Sequence, residues 1–186
     1  LIIGLSGYAR SGKDTVADFL VKQGFTKASF ANPIRESLYS LNPFVSEDGV
    51  RLHDAIKEHG WDGYKNSQYS AEIRQLLQRF GTEVGRDIYG EDFWVDLMLE
   101  DIKGAGGDFV ITDVRFENEA DAIVQQGGEI WRINRPDVEP VNSHWSEVAL
   151  DKYEKFAVII DNSSTIEDLF TELANTFPEL GNHNGN

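Results

Sequence analysis

Leu5-Ser6-Gly7-Tyr8-Ala9-Arg10-Ser11-Gly12-Lys13-Asp14-Thr15 closes the apolar run that begins at Leu1 and leads into Val16, Phe19 and Leu20, spaced at helical intervals. The order is a buried strand, a glycine-containing turn and an amphipathic helix. Within it, Gly7 to Lys13 fits the G-x-x-x-x-G-K pattern of a phosphate-binding loop in the strand-to-helix setting that the pattern requires. The glycines let successive backbone N–H groups turn inward, and the helix N-terminus adds about half a positive charge. Lys13 then reaches the phosphate to be transferred. The loop therefore predicts a nucleoside triphosphate site built from Gly7, Ala9, Arg10, Ser11, Gly12 and Lys13. Asp14 stands where a serine or threonine usually follows the lysine, with Thr15 one place later. Either Asp14 or Thr15 can serve Mg2+, and the spacing leaves both open.

Working outward, strands alternate with helices along the chain. Thr26 to Ala31, Phe109 to Thr112, Glu129 to Ile133 and Phe156 to Ile160 read as further strands. Pro33 opens a helix through Leu38, and Ser70 to Phe80 (Ile73, Leu76, Leu77, Phe80) predicts a helix stopped by Gly81. Asp92 to Lys103, Glu117 to Gln126 and Ser164 to Thr176 predict three more, the last capped by Ser164 or Thr165. Asn42 to Asn66, rich in Gly, Asp, Asn and His, reads as an insertion or mobile segment with one short helix at Leu52 to His59, and Pro178 to Asn186 as a frayed tail. The expectation is an α/β fold with about five parallel strands and helices on both faces, whose ligands bind at the carboxyl ends of the strands.

Composition narrows the function classes. The 186 residues make one domain the expectation, and 40% hydrophobic and 11% aromatic residues supply a core. The absence of cysteine removes disulfides, thiolate metal sites and thiol nucleophiles. A net charge of −15 opposes binding to nucleic acid polymers and anionic membranes. Residues 1–35 are the exception at a local +3, leaving −18 for the remainder, so an anion site is expected there. No apolar run approaches the roughly 20 residues that cross a bilayer, and the opening LIIGL lacks the basic flank and cleavage site of a signal peptide. The expected setting is cytoplasmic.

A second candidate element is Phe109-Val110-Ile111-Thr112-Asp113, whose terminal carboxylate faces the phosphate loop if the two strands are neighbours. Arg115, two residues on, stands where a guanidinium can bridge donor and acceptor phosphates as charge shifts during transfer. Asn134-Arg135-Pro136-Asp137 superficially matches a guanine-reading element, but the lysine is replaced and Asp113 is followed by Val114-Arg115 without a switch glycine. A regulatory GTPase is therefore a poor reading.

Several separated motifs in one order carry a more specific resemblance. They are Arg10 to Thr15 with Ala17-Asp18-Phe19; Ala31-Asn32-Pro33-Ile34-Arg35; Leu77-Gln78 through Gly81-Thr82, with Trp94 downstream; Asp113-Val114-Arg115 with Glu119; and Arg135-Pro136 followed by His144-Trp145-Ser146-Glu147. Over nearly its whole length the chain resembles the phage-type deoxynucleoside monophosphate kinases of the P-loop kinase superfamily. The resemblance implies a nucleoside monophosphate kinase-like P-loop fold that uses ATP and Mg2+ to convert deoxynucleoside monophosphates (dNMPs) to diphosphates for dNTP supply. Lys13, Arg10, Arg115 and Asp113 would be catalytic, and Asp14 and Thr15 would serve the metal. Arg35 and Arg74 would hold the acceptor phosphate, and Gln78, Gly81, Thr82 and Trp94 the base, with Asp113, Arg115 and Glu119 also lining the acceptor site. An acceptor segment at about 32–103 and a lid at about 115–147 that includes Arg132 and Arg135 would follow, with Asn162 and Ser163 placed as adenine contacts. His144-x-Ser146-Glu147 belongs to the pattern without a physical role to give it. Small-molecule nucleotides are the implied partners, a homodimer is left open, and a phage-encoded enzyme would work in its host's cytoplasm. Rival readings are a P-loop kinase for phosphomevalonate or dephospho-coenzyme A, and an ATP-binding module that transfers nothing.

Overall fold

Two compact units make up the computed structural model, which describes residues 1–139 and 148–176: Leu1–Ser29 with Asp101 onward, and Phe30–Glu100. The first unit carries a five-stranded parallel sheet, β1 (Ile2–Ser6), β2 (Thr26–Ala28), β3 (Phe109–Ile111), β4 (Glu129–Asn134) and β5 (Val158–Asp161), in the order β2-β3-β1-β4-β5. Parallel strands need crossovers, and helices α1 (Lys13–Lys22), α6 (Glu117–Gln125) and α7 (Ile166–Thr176) provide cover on the two faces.

The alternation of β1 shows how the faces divide. Ile3 and Leu5 point into a core with Val16, Ala17 and Leu20 of α1 and Leu169 and Leu173 of α7, all fully or nearly fully buried. Gly4 faces the other way, where Ile123 of α6, Ile130 and Val114 crowd so closely that an added Cβ would lie 2.8–2.9 Å from their side chains. β1 is central, with the chain's first crossover leading to one side and β4 lying on the other, so the strand order reverses beside it. A crevice at the carboxyl end of β1 and β3 is the expected ligand position in such a sheet.

The second unit is helical: α2 (Ala31–Leu41), α3 (Leu52–Gly63), α4 (Ser70–Arg79), a π-helix (Phe80–Tyr89) and most of α5 (Phe93–Ala105). Two sequence expectations are corrected here. Asn42 to Asn66 is no mobile insertion, because Val45, Leu52, Ala55, Ile56 and Tyr64 from it form the unit's core with Leu38 and Ile73. Its glycines and polar residues serve turns, as at Gly49 (φ 85°), while the 52-55-56 spacing buries one face of α3.

Gly81 does not stop a helix: α4 runs directly into the π-helix, which ends at Gly90 (φ 115°). Gly81 and Gly85, one turn apart, leave a trough for the Trp94 indole, whose Nε1–H donates to the Gly81 carbonyl at 2.8 Å. A Cβ on Gly85 would collide with that indole. Among the described residues no helix is long and apolar enough to cross a membrane.

Candidate active site

The loop after β1 is shaped by two conformational demands. Gly7 (φ 146°) lies against the end of β4, where a Cβ would come within 2.5 Å of the Ile133 carbonyl, and Gly12 (φ 105°) packs on Asn162 at the end of β5. Arg10 at the crest takes φ 67°, a left-handed conformation uncommon for a residue with a side chain. Asn162 Nδ2 donates to the Ser11 carbonyl at 2.8 Å, so its amide holds the loop backbone. The Ser11 hydroxyl is buried and has no hydrogen-bond partner among the described residues.

Lys13 opens α1 and folds back over the loop, its Nζ donating to the carbonyls of Gly7 (2.7 Å) and Tyr8 (2.8 Å). Around it a cleft is lined by Ser6, Gly7, Ala9, Lys13, Thr112, Asp113, Val114, Arg115, Arg132 and Leu150. The cleft lies at the carboxyl ends of β1, β3 and β4, as the strand order requires. β3 pairs directly with β1, which brings Asp113 beside the loop. Asp113 accepts a hydrogen bond from the Ser29 hydroxyl at 2.6 Å.

Arg115 is exposed at the cleft, and its guanidinium makes no ion pair among the described residues. Its backbone N–H instead donates to Glu119 Oε2 at 2.7 Å, which also accepts from Phe116 N at 3.1 Å. Glu119, 3% exposed at the third position of α6, thus caps the helix start in the manner of a capping box. It holds the Arg115 loop, its carboxylate buried and engaged by the backbone.

Asp14 points to solvent, 88% exposed, with Lys27 Nζ 3.6 Å from its carboxylate, and neither it nor Thr15 lines the cleft. Of the residues expected at the acceptor site, Arg35, Arg74, Gln78, Gly81, Thr82 and Trp94 fall in the second unit, whereas Asp113, Arg115 and Glu119 fall in the first. Arg35 lies over the Trp61 ring at 5.7 Å with its Nε buried and unpartnered among the described residues, while Arg74, Gln78 and Thr82 are exposed. Trp94 is 4% exposed between Phe80 and Phe93, so the indole offers a base no open face; it braces the π-helix instead.

Within the stretch expected as a lid, Glu117–Gln125 forms α6 and Glu129–Asn134 forms β4 of the sheet. Arg132 accordingly sits 9% exposed on β4, and Arg135 is exposed just beyond it. His144, Trp145, Ser146, Glu147 and the tail from Pro178 lie outside the described residues.

Comparisons with known proteins bear on the identity of this site. A family model described as deoxynucleotide monophosphate kinase matches residues 53–173. That span begins after the phosphate loop, so the loop and the match are separate observations. The chain belongs to the deoxynucleotide monophosphate kinase family. A family relative from Acanthamoeba polyphaga mimivirus, assigned to the same activity by name, is 31% identical over 93% of this chain and 94% of its own length. The deoxynucleotide monophosphate kinase of Enterobacteria phage T4 is 23% identical over 96% of this chain and 99% of its own. Among solved structures, a dephospho-CoA kinase from Campylobacter jejuni is similar at 16% identity and a TM-score of 0.48, covering 96% of each chain. As a member of this kinase family the chain is a phosphotransferase acting on deoxynucleoside monophosphates.

Sequence reasoning missed Ser29, whose hydroxyl donates to Asp113, and the hold of Asn162 on the loop. The one available signal was position: Ser29 and Asn162 both follow strands, where a parallel sheet gathers its site.

Proposed function

We propose that this chain moves the γ-phosphoryl group of ATP to the phosphate of a dNMP in the cleft around Lys13. The observation that carries the reading is the convergence of Lys13, Asp113 and Arg115 at the ends of two adjacent parallel strands beside the phosphate loop. An acceptor phosphate oxygen attacks the γ-phosphorus in line, a new P–O bond forms, and the bond to the β-phosphate oxygen breaks to release ADP. That oxygen is already ionised, so no general base is needed and catalysis is positioning plus charge neutralisation. Lys13 holds charge developing on the transferred group, and Arg115, on a loop pinned by Glu119, reaches the same group from β3.

Mg2+ suits this donor set. No group of three His, Asp or Glu stands together among the described residues, and Mg2+ takes one or two carboxylates with substrate phosphates and water rather than an all-protein cage. Asp113 is the carboxylate at the cleft and would hold it, supported by Ser29. Bound there, the metal supplies charge neutralisation. In the Phe30–Glu100 unit the buried Nε of Arg35, unpartnered among the described residues, supports its role as an acceptor-phosphate ligand, with Arg74, Gln78 and Thr82 exposed on the same unit.

Label transfer from γ-³²P-ATP tests the reading. Label should appear in dNDP with the parent enzyme and fall by roughly 10²–10³-fold in Asp113→Asn and Arg115→Ala. Label released only as inorganic phosphate would mean that no acceptor is served.

A further inference from the structure

Beside the phosphate loop lies a charged cluster to which the transfer mechanism gives no step, although one of its members, Arg132, lines the cleft. The Asp151 carboxylate bridges two parts of the fold: Oδ1 accepts from an Arg132 guanidinium nitrogen on β4 at 2.8 Å, and Oδ2 accepts from the Tyr8 hydroxyl at 2.7 Å. Arg132 also lies over the Tyr8 ring at 4.9 Å, with longer contacts of 3.4 Å to Ser6 and Asn134. The guanidinium side chain is 11% exposed and Asp151 33%, so the pair is screened far less than a surface ion pair.

Tyr8 is therefore held on two sides. Its hydroxyl and ring are fixed by Asp151 and Arg132, and its carbonyl is one of the two that receive Lys13 Nζ. The hydrogen bond to Asp151, with burial, also pushes the Tyr8 phenol above its ordinary range, so the hydroxyl remains a donor.

We propose that Asp151 and Arg132 are positioning residues for the ATP phosphate site, acting through Tyr8 to hold the phosphate loop and the resting place of Lys13. The proposal rests on the reading of the cleft as an ATP site. Neither residue needs to touch the reacting atoms: Asp151 keeps Arg132 neutralised and Tyr8 in place, while Asn162 fixes the other half of the loop through Ser11. The clamp then governs ATP affinity and leaves the acceptor's KM alone, since no acceptor residue belongs to it.

Calorimetric titration of the full chain with MgATP, without acceptor, reads the clamp directly. A hydrogen bond to a charged acceptor sets the expected loss for Tyr8→Phe at roughly ten-fold in ATP affinity. Tyr8→Phe keeps the ring over Arg132 and the thermal midpoint unchanged. Asp151→Asn should lose a similar factor, Asp151→Glu should recover part of it, and the double variant should lose little more than either single one, as coupled groups do. Multiplying losses in the double variant, unchanged ATP affinity in both singles, or a parallel rise in the KM for dNMP would overturn the proposal. A parent chain that binds no ATP would sink the reading of the cleft itself, whereas one that binds ATP but transfers nothing would sink the kinase reading and leave the clamp under test.

Discussion

The side-chain amide of Asn162 donates to the carbonyl of Ser11 at 2.8 Å, tying the end of the last strand to the phosphate loop across 151 positions of sequence. Gly12 exists in the same contact: its φ of 105° and the closeness of Asn162 leave no room for a Cβ. Gly12→Ala should therefore abolish ATP binding, because both the backbone conformation and the Asn162 contact would have to give way. Asn162→Ala should weaken ATP binding only by about ten-fold, the scale of one hydrogen bond. Equilibrium dialysis with labelled ATP separates the two, and equal effects would mean that the amide, not the glycine geometry, shapes the loop.

Lys13→Ala should lower phosphoryl transfer by roughly 10²–10³-fold or more while leaving the thermal midpoint near that of the parent. Nζ is engaged by loop carbonyls rather than packed in a core, so the fold does not depend on it. Steady-state ADP release and a thermal scan on the same preparation check both halves.

Gly85→Ala is a stability prediction confined to the second unit. The new methyl would enter the space of the Trp94 indole, which is fixed by its bond to Gly81 and by Phe80 and Phe93. Overpacking of this kind costs about 1–3 kcal/mol. Chemical denaturation should show the loss, and the Gly85→Ala/Trp94→Phe pair should recover part of it.

Glu119→Ala removes the acceptor that pins Arg115 N and Phe116 N. Loss of such a cap costs about 1 kcal/mol of stability. Because the same loop carries Arg115, kcat should fall further than stability alone explains, whereas a drop in stability at unchanged kcat would make the cap purely structural.

Tyr153 gives a pH signature. Burial, with its hydrogen bond to Asp121, raises the phenol to about 12. Between pH 10 and 12 the unfolded chain gives up this proton while the folded one keeps it, so stability falls as pH rises through that window and is unaffected below it. Tyr153→Phe should flatten the stability curve there, measured by urea midpoints at pH 9, 10, 11 and 12.

The sheet was legible because buried parallel strands and their crossovers leave strong periodic signals, and Gly7 to Lys13 announced the site at once. Asp113 could be placed beside the loop only conditionally, since strand order is a tertiary fact; the pairing of β3 with β1 met the condition. The errors share one cause. Gly81 reads as a stop because local propensity disfavours glycine in a helix, yet its packing against Trp94 decides the matter. Trp94 and Glu119 carry chemistry suited to ligands, and only burial shows them engaged within the protein. Tyr8, Arg132 and Asp151 lie far apart in sequence and form a cluster that no spacing encodes.

ADP release from MgATP, with dAMP, dGMP, dCMP and dTMP supplied singly against a blank without acceptor and a parallel run with dephospho-coenzyme A, tests the central claim most directly. The account predicts acceptor-dependent ADP release with one or more dNMPs, matched mole for mole by dNDP. ADP release confined to dephospho-coenzyme A, or equal with and without any acceptor, would contradict it.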